Sequence, residues 1–285
     1  MARISLAQGE QRACTCDNPD AFRSLSEASA SADYWKRCSD DALAHGCKGI
    51  VMMGAHWDVK GPARIEVATK PNPGMNPVAY NYQLNPDIAT AKRVVTLPRG
   101  HNIDAQENPT FDWIHDSFLI LIRMFPDGCP PTTLLSLNAH YDPHFHMRIG
   151  SILRPLRKEG YLLIGTGGAV HNLYRNDWTQ MIRYRDNFAM PRSPDSWAME
   201  FRQSFEDAIT KNSRPHLRRA ITKLMKHPGF RDAHGTDEHF MPATFVAGAA
   251  GDAEDDGVYG KLMAEGWELR NMCHSQFTIG SWNRV

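Results

Sequence analysis

Apolar residues along the chain fall into short continuous runs and into longer stretches with helical spacing. Each continuous run is four to eight residues long, is bounded by glycine or polar residues, and is typical of a strand buried on both faces of a sheet. Four such runs predict strands at residues 48–55, 132–137, 161–165 and 244–248.

Three stretches place apolar residues every three or four positions and predict amphipathic helices. Residues 146–159 lie between the second and third predicted strands, so these three elements predict a β-α-β unit. Residues 195–211 start at Asp195 and residues 213–226 start at Ser213, and both residue types are common helix N-caps. We expect the last two helices to pack together on one face of the sheet.

The segment between residues 61 and 108 lacks regular apolar spacing and contains six of the 18 prolines. We predict long loops with short strands there, and long ordered loops in a compact domain are commonly functional. The chain has no internal repeat, low-complexity tract or Pro/Gly-rich linker. We therefore expect residues 1–285 to form a single α/β domain.

Composition excludes several classes of function. The 32 Lys and Arg residues balance 32 Asp and Glu residues, so the whole chain has no net attraction to nucleic acid or to an anionic membrane. No apolar run approaches the ~20 residues of a membrane helix, and the N-terminus lacks the apolar stretch of a secretory signal. Six cysteines without regular spacing indicate reduced thiols. We expect a cytoplasmic protein that binds neither nucleic acid nor membrane.

Histidine is the residue type whose placement carries most information about function. Several of the 13 histidines lie beside predicted strands, and ligands of open α/β sheets bind beyond the carboxyl ends of the strands. His56 follows the first predicted strand, His171 follows a glycine-rich turn after the third, and Glu238 and His239 precede the fourth. Imidazole and carboxylate together suit a divalent metal, although packed core histidines or polar loops give the same pattern.

Five segments together resemble the class III extradiol ring-cleavage dioxygenases, in the branch that contains the DOPA 4,5-dioxygenases. The resemblance covers nearly the whole chain and implies a single-domain three-layer sandwich, with a central mixed β-sheet flanked by helices. The segments keep the family's order along the chain. They are Ala55-His56-Trp57, the stretch 112–117 with His115, Leu135-Ser136-Leu137 followed by Asp142-Pro143 and His146, Gly167-Gly168 leading to His171-Asn172-Leu173, and Glu238-His239-Phe240 with Pro242.

The resemblance implies an oxidoreductase with a non-haem Fe(II) or zinc centre at the sheet edge, where a catechol or related phenolic small molecule reacts with O₂. His56 and His239 match metal ligands of the family, and His171 matches its acid/base residue. His115 is expected beside the reacting atoms, where it hydrogen-bonds the substrate or the oxygen. Three further positions are expected to contact the substrate, namely His146, Trp57 and Glu238.

The chain departs from the family pattern at the first metal ligand. Family members carry a His-Gly pair after the first strand, where this sequence has Gln8-Gly9. An amide oxygen is a poorer ligand for Fe(II) or zinc than an imidazole, so we expect weak metal binding or none. Gln8 could ligate through its oxygen, or Glu238 could complete a set of two imidazoles and one carboxylate. A neighbouring side chain could also replace it, the candidates being Glu10, Cys14, Cys16 and Asp17.

Three functions therefore stay open from the sequence. The first is a metal-dependent ring-cleaving dioxygenase. The second is a metal-poor or metal-independent relative that uses the same His-rich pocket for non-oxidative isomerase, cyclase or lyase chemistry on a phenolic or polyketide-like substrate. The third is a non-catalytic binder, against which the retained His115 and His171 argue, because a binder needs no acid/base imidazole. The substrate and the oligomeric state stay open, although homodimers are common among relatives.

Overall fold

A mixed sheet of eight strands runs through the described part of the chain. The computed structural model describes residues 4–7, 29–74, 82–250 and 252–282. The strands are β1 (Ile4–Ala7), β2 (Gly49–Val59), β3 (Arg64–Ala68), β4 (Asp104–Asn108), β5 (Thr132–Asn138), β6 (Tyr161–Thr166), β7 (Gly260–Glu268) and β8 (Met272–Ile279). Their order is β4-β3-β5-β2-β6-β1-β8-β7, and the central strands β5, β2, β6 and β1 are parallel.

Helices cover both faces of this sheet. Among the described residues they are α1 (Ala30–Ala44), α2 (Ile88–Arg99), α3 (His115–Met124), α4 (Pro143–Leu153), α5 (Pro155–Lys158), α6 (Thr179–Tyr184), α7 (Ser196–Thr210), α8 (Arg214–Leu224), α9 (Phe230–Ala233) and α10 (Met241–Ala250). No helix in these ranges has both the length and the apolar character required to cross a membrane.

Strand β2 shows how the sheet separates two hydrophobic cores. Val51 and Met53 belong to the core formed with α2, α4, α7, α8 and α10, whereas Ile50 and Met52 belong to the core formed with α1 and α3. Successive side chains of a strand point to opposite faces, so a strand between two cores needs apolar residues at every position. The predicted three-layer α/β architecture with a central mixed sheet is confirmed.

Most predicted elements lie close to their expected positions. The runs at 132–137 and 161–165 form β5 and β6, and the helices predicted at 195–211 and 213–226 form α7 and α8. The first predicted strand forms β2, which extends beyond its predicted end to Val59. The β-α-β unit is present, with β2 lying between β5 and β6 in the sheet.

The prediction of a strand at residues 244–248 is wrong, because these residues lie in α10. Every residue of α10 is buried, so its sequence is apolar on all sides and lacks helical periodicity. The helix packs closely against α4. A Cβ at Gly150 would lie 1.9 Å from the carbonyl oxygen of Phe245, and a Cβ at Gly248 would lie 1.9 Å from that of Met147. Glycine at both positions therefore allows the two backbones to approach.

The segment 61–108 contains more regular structure than predicted. It holds β3, α2 and β4, and the side chain of Asp87 caps α2 by accepting the backbone N–H of Thr90. Helix α2 buries Val94 and Val95 against the sheet. Packing of this short apolar face, rather than a long periodic pattern, stabilises the helix.

Candidate active site

Four imidazoles gather at one edge of the sheet. His56 lies near the end of β2, His115 begins α3, His171 follows β6, and His239 lies in a 3-10 turn at Glu238–Phe240 before α10. The ring centroid of His56 lies 4.7 Å from that of His239 and 5.2 Å from that of His115. The rings of His171 and His239 are stacked with centroids 3.4 Å apart. Elements remote in sequence thus bring four candidate functional groups into one cluster.

Two glycines after β6 allow this approach. A Cβ at Gly167 would lie 2.2 Å from the carbonyl oxygen of His239, and a Cβ at Gly168 would lie 2.7 Å from the Cβ of His171. The backbone N–H of Gly168 also donates to the carbonyl of His239 at 3.2 Å. The Gly-Gly pair therefore serves close packing of the two histidine-bearing segments.

Burial keeps three of these imidazoles neutral at pH 7. It lowers the pKa of His115 to about 4. Burial, together with the neighbouring histidines, lowers the pKa of His171 and of His239 well below the usual value. Within the described residues, His115 Nε2, His171 Nε2 and His239 Nδ1 are buried without a hydrogen-bond partner. Neutral imidazole is the form that ligates a metal or accepts a proton.

A buried carboxylate, Asp116, lies directly beside His56. Its Oδ2 accepts the backbone N–H of His56 at 3.1 Å and lies 3.6 Å from the ring nitrogen Nδ1. Burial raises the pKa of Asp116, but the contacts with His56 and the proximity of His115 outweigh burial and hold that pKa below its usual range. Asp116 lies next to His115 in a segment that the sequence singled out, but the sequence pattern assigns it no role of its own.

A pocket of about 360 Å³ is lined by three of the four clustered histidines, His56, His171 and His239. This volume suits a small molecule with one aromatic ring. Its wall includes both imidazole and aromatic side chains, together with one carboxylate. The main lining residues are His56, His171, His239, Glu238, Tyr174 and Trp178. The two aromatic residues were not predicted, and their only signal is their position shortly after His171.

Three residues predicted to act on the substrate, His115, His146 and Trp57, lie outside the lining of this pocket in the described residues. His146 is fully buried, and both ring nitrogens bond to backbone: Nδ1 to the carbonyl of Asp142 at 2.7 Å and Nε2 to the N–H of Asn138 at 3.0 Å. Trp57 stacks on Phe111 with ring centroids 3.7 Å apart. The prediction that His146 and Trp57 contact the substrate is therefore wrong, because both side chains make contacts within the protein interior.

The donor atoms around the pocket include two imidazoles suited to a metal ion. Among the described residues, no three His, Cys, Asp or Glu side chains lie close enough together to hold a metal ion. His56 and His239 face each other with perpendicular rings, and two imidazoles fit Fe(II) or zinc as part of a ligand set. The predicted third ligand lies outside the described residues, as do its substitutes: Gln8, Glu10, Cys14, Cys16 and Asp17.

Comparison with known proteins places the chain in a family. No protein-family model matches it. It is 30% identical to the 4,5-DOPA dioxygenase extradiol of Escherichia coli K12, over 71% of this chain and 72% of that protein. It is also 30% identical to that of Portulaca grandiflora (72% and 73% covered) and 27% identical to that of Beta vulgaris (82% and 83% covered).

A solved structure also supports the fold. The crystal structure of an uncharacterised protein from Escherichia coli K12 superimposes with a TM-score of 0.73 and 22% identity, over 98% of this chain and all of that chain. The order of histidine-bearing segments, their convergence in one pocket and the similarity to three extradiol dioxygenases agree. The chain belongs to the 4,5-DOPA extradiol dioxygenase family and is an oxidoreductase of that family.

Proposed function

We propose that this chain is a metal-dependent dioxygenase that opens the ring of a catechol or related phenolic small molecule. The observation that carries the proposal is the convergence of His56, His171 and His239 in one pocket. In the reaction, a ring carbon–carbon bond beside the diol and the O–O bond of O₂ both break. Both oxygen atoms stay in the product, so no external reductant is needed.

His56 and His239 are the proposed imidazole ligands of an Fe(II) or zinc ion, with Gln8 as the third protein ligand. The metal, when bound, supplies the Lewis acidity and the O₂ reactivity on which extradiol cleavage depends. The two rings stand at 84° to each other, with their centroids 4.7 Å apart. The buried wall of α10 behind His239 excludes water from that side.

His171 is the proposed acid/base residue. Its backbone N–H donates to the carbonyl of Ala233 at 2.8 Å, and its ring is held against that of His239. A neutral imidazole in this fixed position accepts a phenolic proton and returns it to the ring-opened product. His115 lies on the other side of His56 and does not line the pocket, and its Nε2 is buried without a hydrogen-bond partner.

The first test is metal content combined with O₂ uptake. After anaerobic reconstitution with Fe(II), we expect about one ion per chain, O₂ consumption with a catechol and a yellow semialdehyde product. We expect Gln8→His to raise the affinity for Fe(II), because an imidazole replaces an amide oxygen. Elemental analysis and an oxygen electrode measure both. Protein that resists reconstitution, or turnover that persists with EDTA and without O₂, would contradict the proposal and favour non-oxidative chemistry.

Glu238 is proposed to recognise the substituent of the substrate. Its carboxylate lies in the pocket wall and accepts a hydrogen bond from the hydroxyl of Thr236 at 2.5 Å. We expect Glu238→Gln to raise KM about fivefold for a catechol that carries an ammonium group, which corresponds to ~1 kcal/mol for a partly exposed ion pair. Steady-state kinetics with such a catechol measure the change.

Two controls make this assignment specific. Unsubstituted catechol has no charge for Glu238 to bind, so its KM should stay unchanged in Glu238→Gln. Asp237→Asn removes the neighbouring carboxylate, which pairs with Arg231 and does not line the pocket. An equal rise in KM for both substrates would show that Glu238 only maintains the shape of the pocket.

A further inference from the structure

We propose that Asp116 is a positioning residue that fixes the tautomer and the orientation of His56. The inference rests on the proposed function, because it concerns His56 as a metal ligand. It assigns a role to a buried carboxylate that takes no part in binding or proton transfer in the mechanism above.

One oxygen of Asp116 contacts both the main chain and the ring of His56. Oδ2 accepts the backbone N–H at 3.1 Å and lies 3.6 Å from Nδ1. Asp116 is only 4% exposed and lies in the first turn of α3, whose apolar residues anchor it in the second core. The carboxylate is therefore held rigidly, and it presents an acceptor to one chosen nitrogen of the imidazole.

The local irregularity of β2 makes this contact possible. The pairing of β2 with β5 shifts register between Met53 and Asp58, on either side of His56. Such bulges commonly re-aim a side chain near a functional site. Here the N–H of His56 donates to Asp116 instead of to a neighbouring strand.

Gly54 provides the space in which the carboxylate lies. A Cβ at position 54 would lie 2.2 Å from Oδ2 of Asp116 and 2.7 Å from its carboxyl carbon. Any larger residue would displace the carboxylate from His56. The glycine in β2 and the aspartate in α3 thus form one structural unit with the histidine.

The chemical consequence follows from the position of the proton on the ring. An acceptor beside Nδ1 favours the tautomer that carries the proton on Nδ1, which leaves the lone pair on Nε2. A carboxylate that orients a ligating histidine in this way also makes the ring a stronger donor. Asp116 therefore prepares His56 to bind a metal through Nε2.

The test measures Zn²⁺ binding and histidine tautomers in the full-length, metal-free protein. Asp116→Ala removes the acceptor that holds the proton on Nδ1, and the ring is then free to carry the proton on Nε2. We expect a 10- to 100-fold loss of Zn²⁺ affinity by calorimetry. We also expect ¹⁵N chemical shifts of His56 to change from the Nδ1–H to the Nε2–H pattern.

Two further variants separate positioning from folding. Gly54→Ala leaves every ionisable group in place but pushes the carboxylate away, so it should weaken Zn²⁺ binding in the same direction. It provides the test if Asp116→Ala does not fold. Asp112→Ala is the matched control, because that carboxylate lies just before α3 but binds Lys70 and the N–H of Gly74. It should leave Zn²⁺ affinity and the His56 tautomer unchanged.

Unchanged Zn²⁺ affinity together with an unchanged His56 tautomer, in a folded Asp116→Ala or Gly54→Ala protein, would overturn the inference. Absence of Zn²⁺ binding by the unmutated protein would instead refute the proposed metal site. The ¹⁵N measurement needs no metal, so it still decides in that case whether Asp116 sets the tautomer of His56.

Discussion

Replacement of His171 by phenylalanine is expected to lower kcat for ring cleavage by about 10²- to 10⁴-fold, the usual contribution of a positioned acid/base group. Phenylalanine keeps a flat ring against His239, on which the imidazole stacks at 3.4 Å, but has no nitrogen to accept or return a proton. Oxygen uptake at saturating catechol, in protein reconstituted with Fe(II), measures the change. The substitution isolates proton transfer from packing.

The Fe(II) content of the His171→Phe protein is the essential control. Because His171 is assigned to proton transfer and not to ligation, the variant should retain the metal content of the unmutated protein. His144→Phe introduces the same side chain at an exposed position and should leave kcat unchanged. A His171→Phe protein that retains its metal and loses less than about tenfold in kcat would refute the acid/base role.

The strands of the central sheet could be predicted because burial on both faces makes their sequences continuously apolar. A strand with a core on each face, such as β2 with Ile50 and Val51 on opposite sides, is apolar at consecutive positions. The same rule failed at α10, because a helix buried on every side is also continuously apolar. The apolar pattern is therefore the same for a buried strand and for a helix buried on every side. The close packing of α10 against α4 at Gly150 and Gly248 is a tertiary feature that this pattern does not reveal.

The site was partly predictable because parallel strands end at a common edge. That rule brings His56 and His171 together from the sequence alone, and His239 was singled out because it adjoins the carboxylate of Glu238. It does not say where a side chain points. Trp57 follows His56 in β2 and therefore faces the opposite side of the strand, where it stacks on Phe111.

His146 and Asp116 show what needs the folded structure. His146 opens a helix near the site, yet both of its ring nitrogens bond to nearby backbone groups. Asp116 is 60 residues from His56 in sequence, and their contact depends on a register shift in β2 and on the absence of a side chain at Gly54. Such contacts arise from tertiary packing, for which a single sequence carries no pattern.

A buried ion pair holds the C-terminal end of α10, the end remote from His239. Arg157 and Asp255 are 3% and 0% exposed, and the guanidinium donates two parallel hydrogen bonds to the carboxylate, at 3.0 and 2.9 Å. The same guanidinium donates to the carbonyl of Ala249 at 2.8 Å. The pair thereby joins α5, α10 and the 3-10 turn at Ala253–Asp255, and loss of one partner would leave a charge buried without compensation.

We expect Asp255→Asn to lower the free energy of unfolding by about 3–5 kcal/mol, measured by urea denaturation followed by circular dichroism. Arg157→Met combined with Asp255→Leu should recover much of this loss, because no unpaired charge remains in the interior. Glu159→Gln breaks the exposed pair with Arg93 and should cost less than ~1 kcal/mol. Equal losses in Asp255→Asn and in the double variant would mean that packing at this position, rather than charge compensation, stabilises the end of α10.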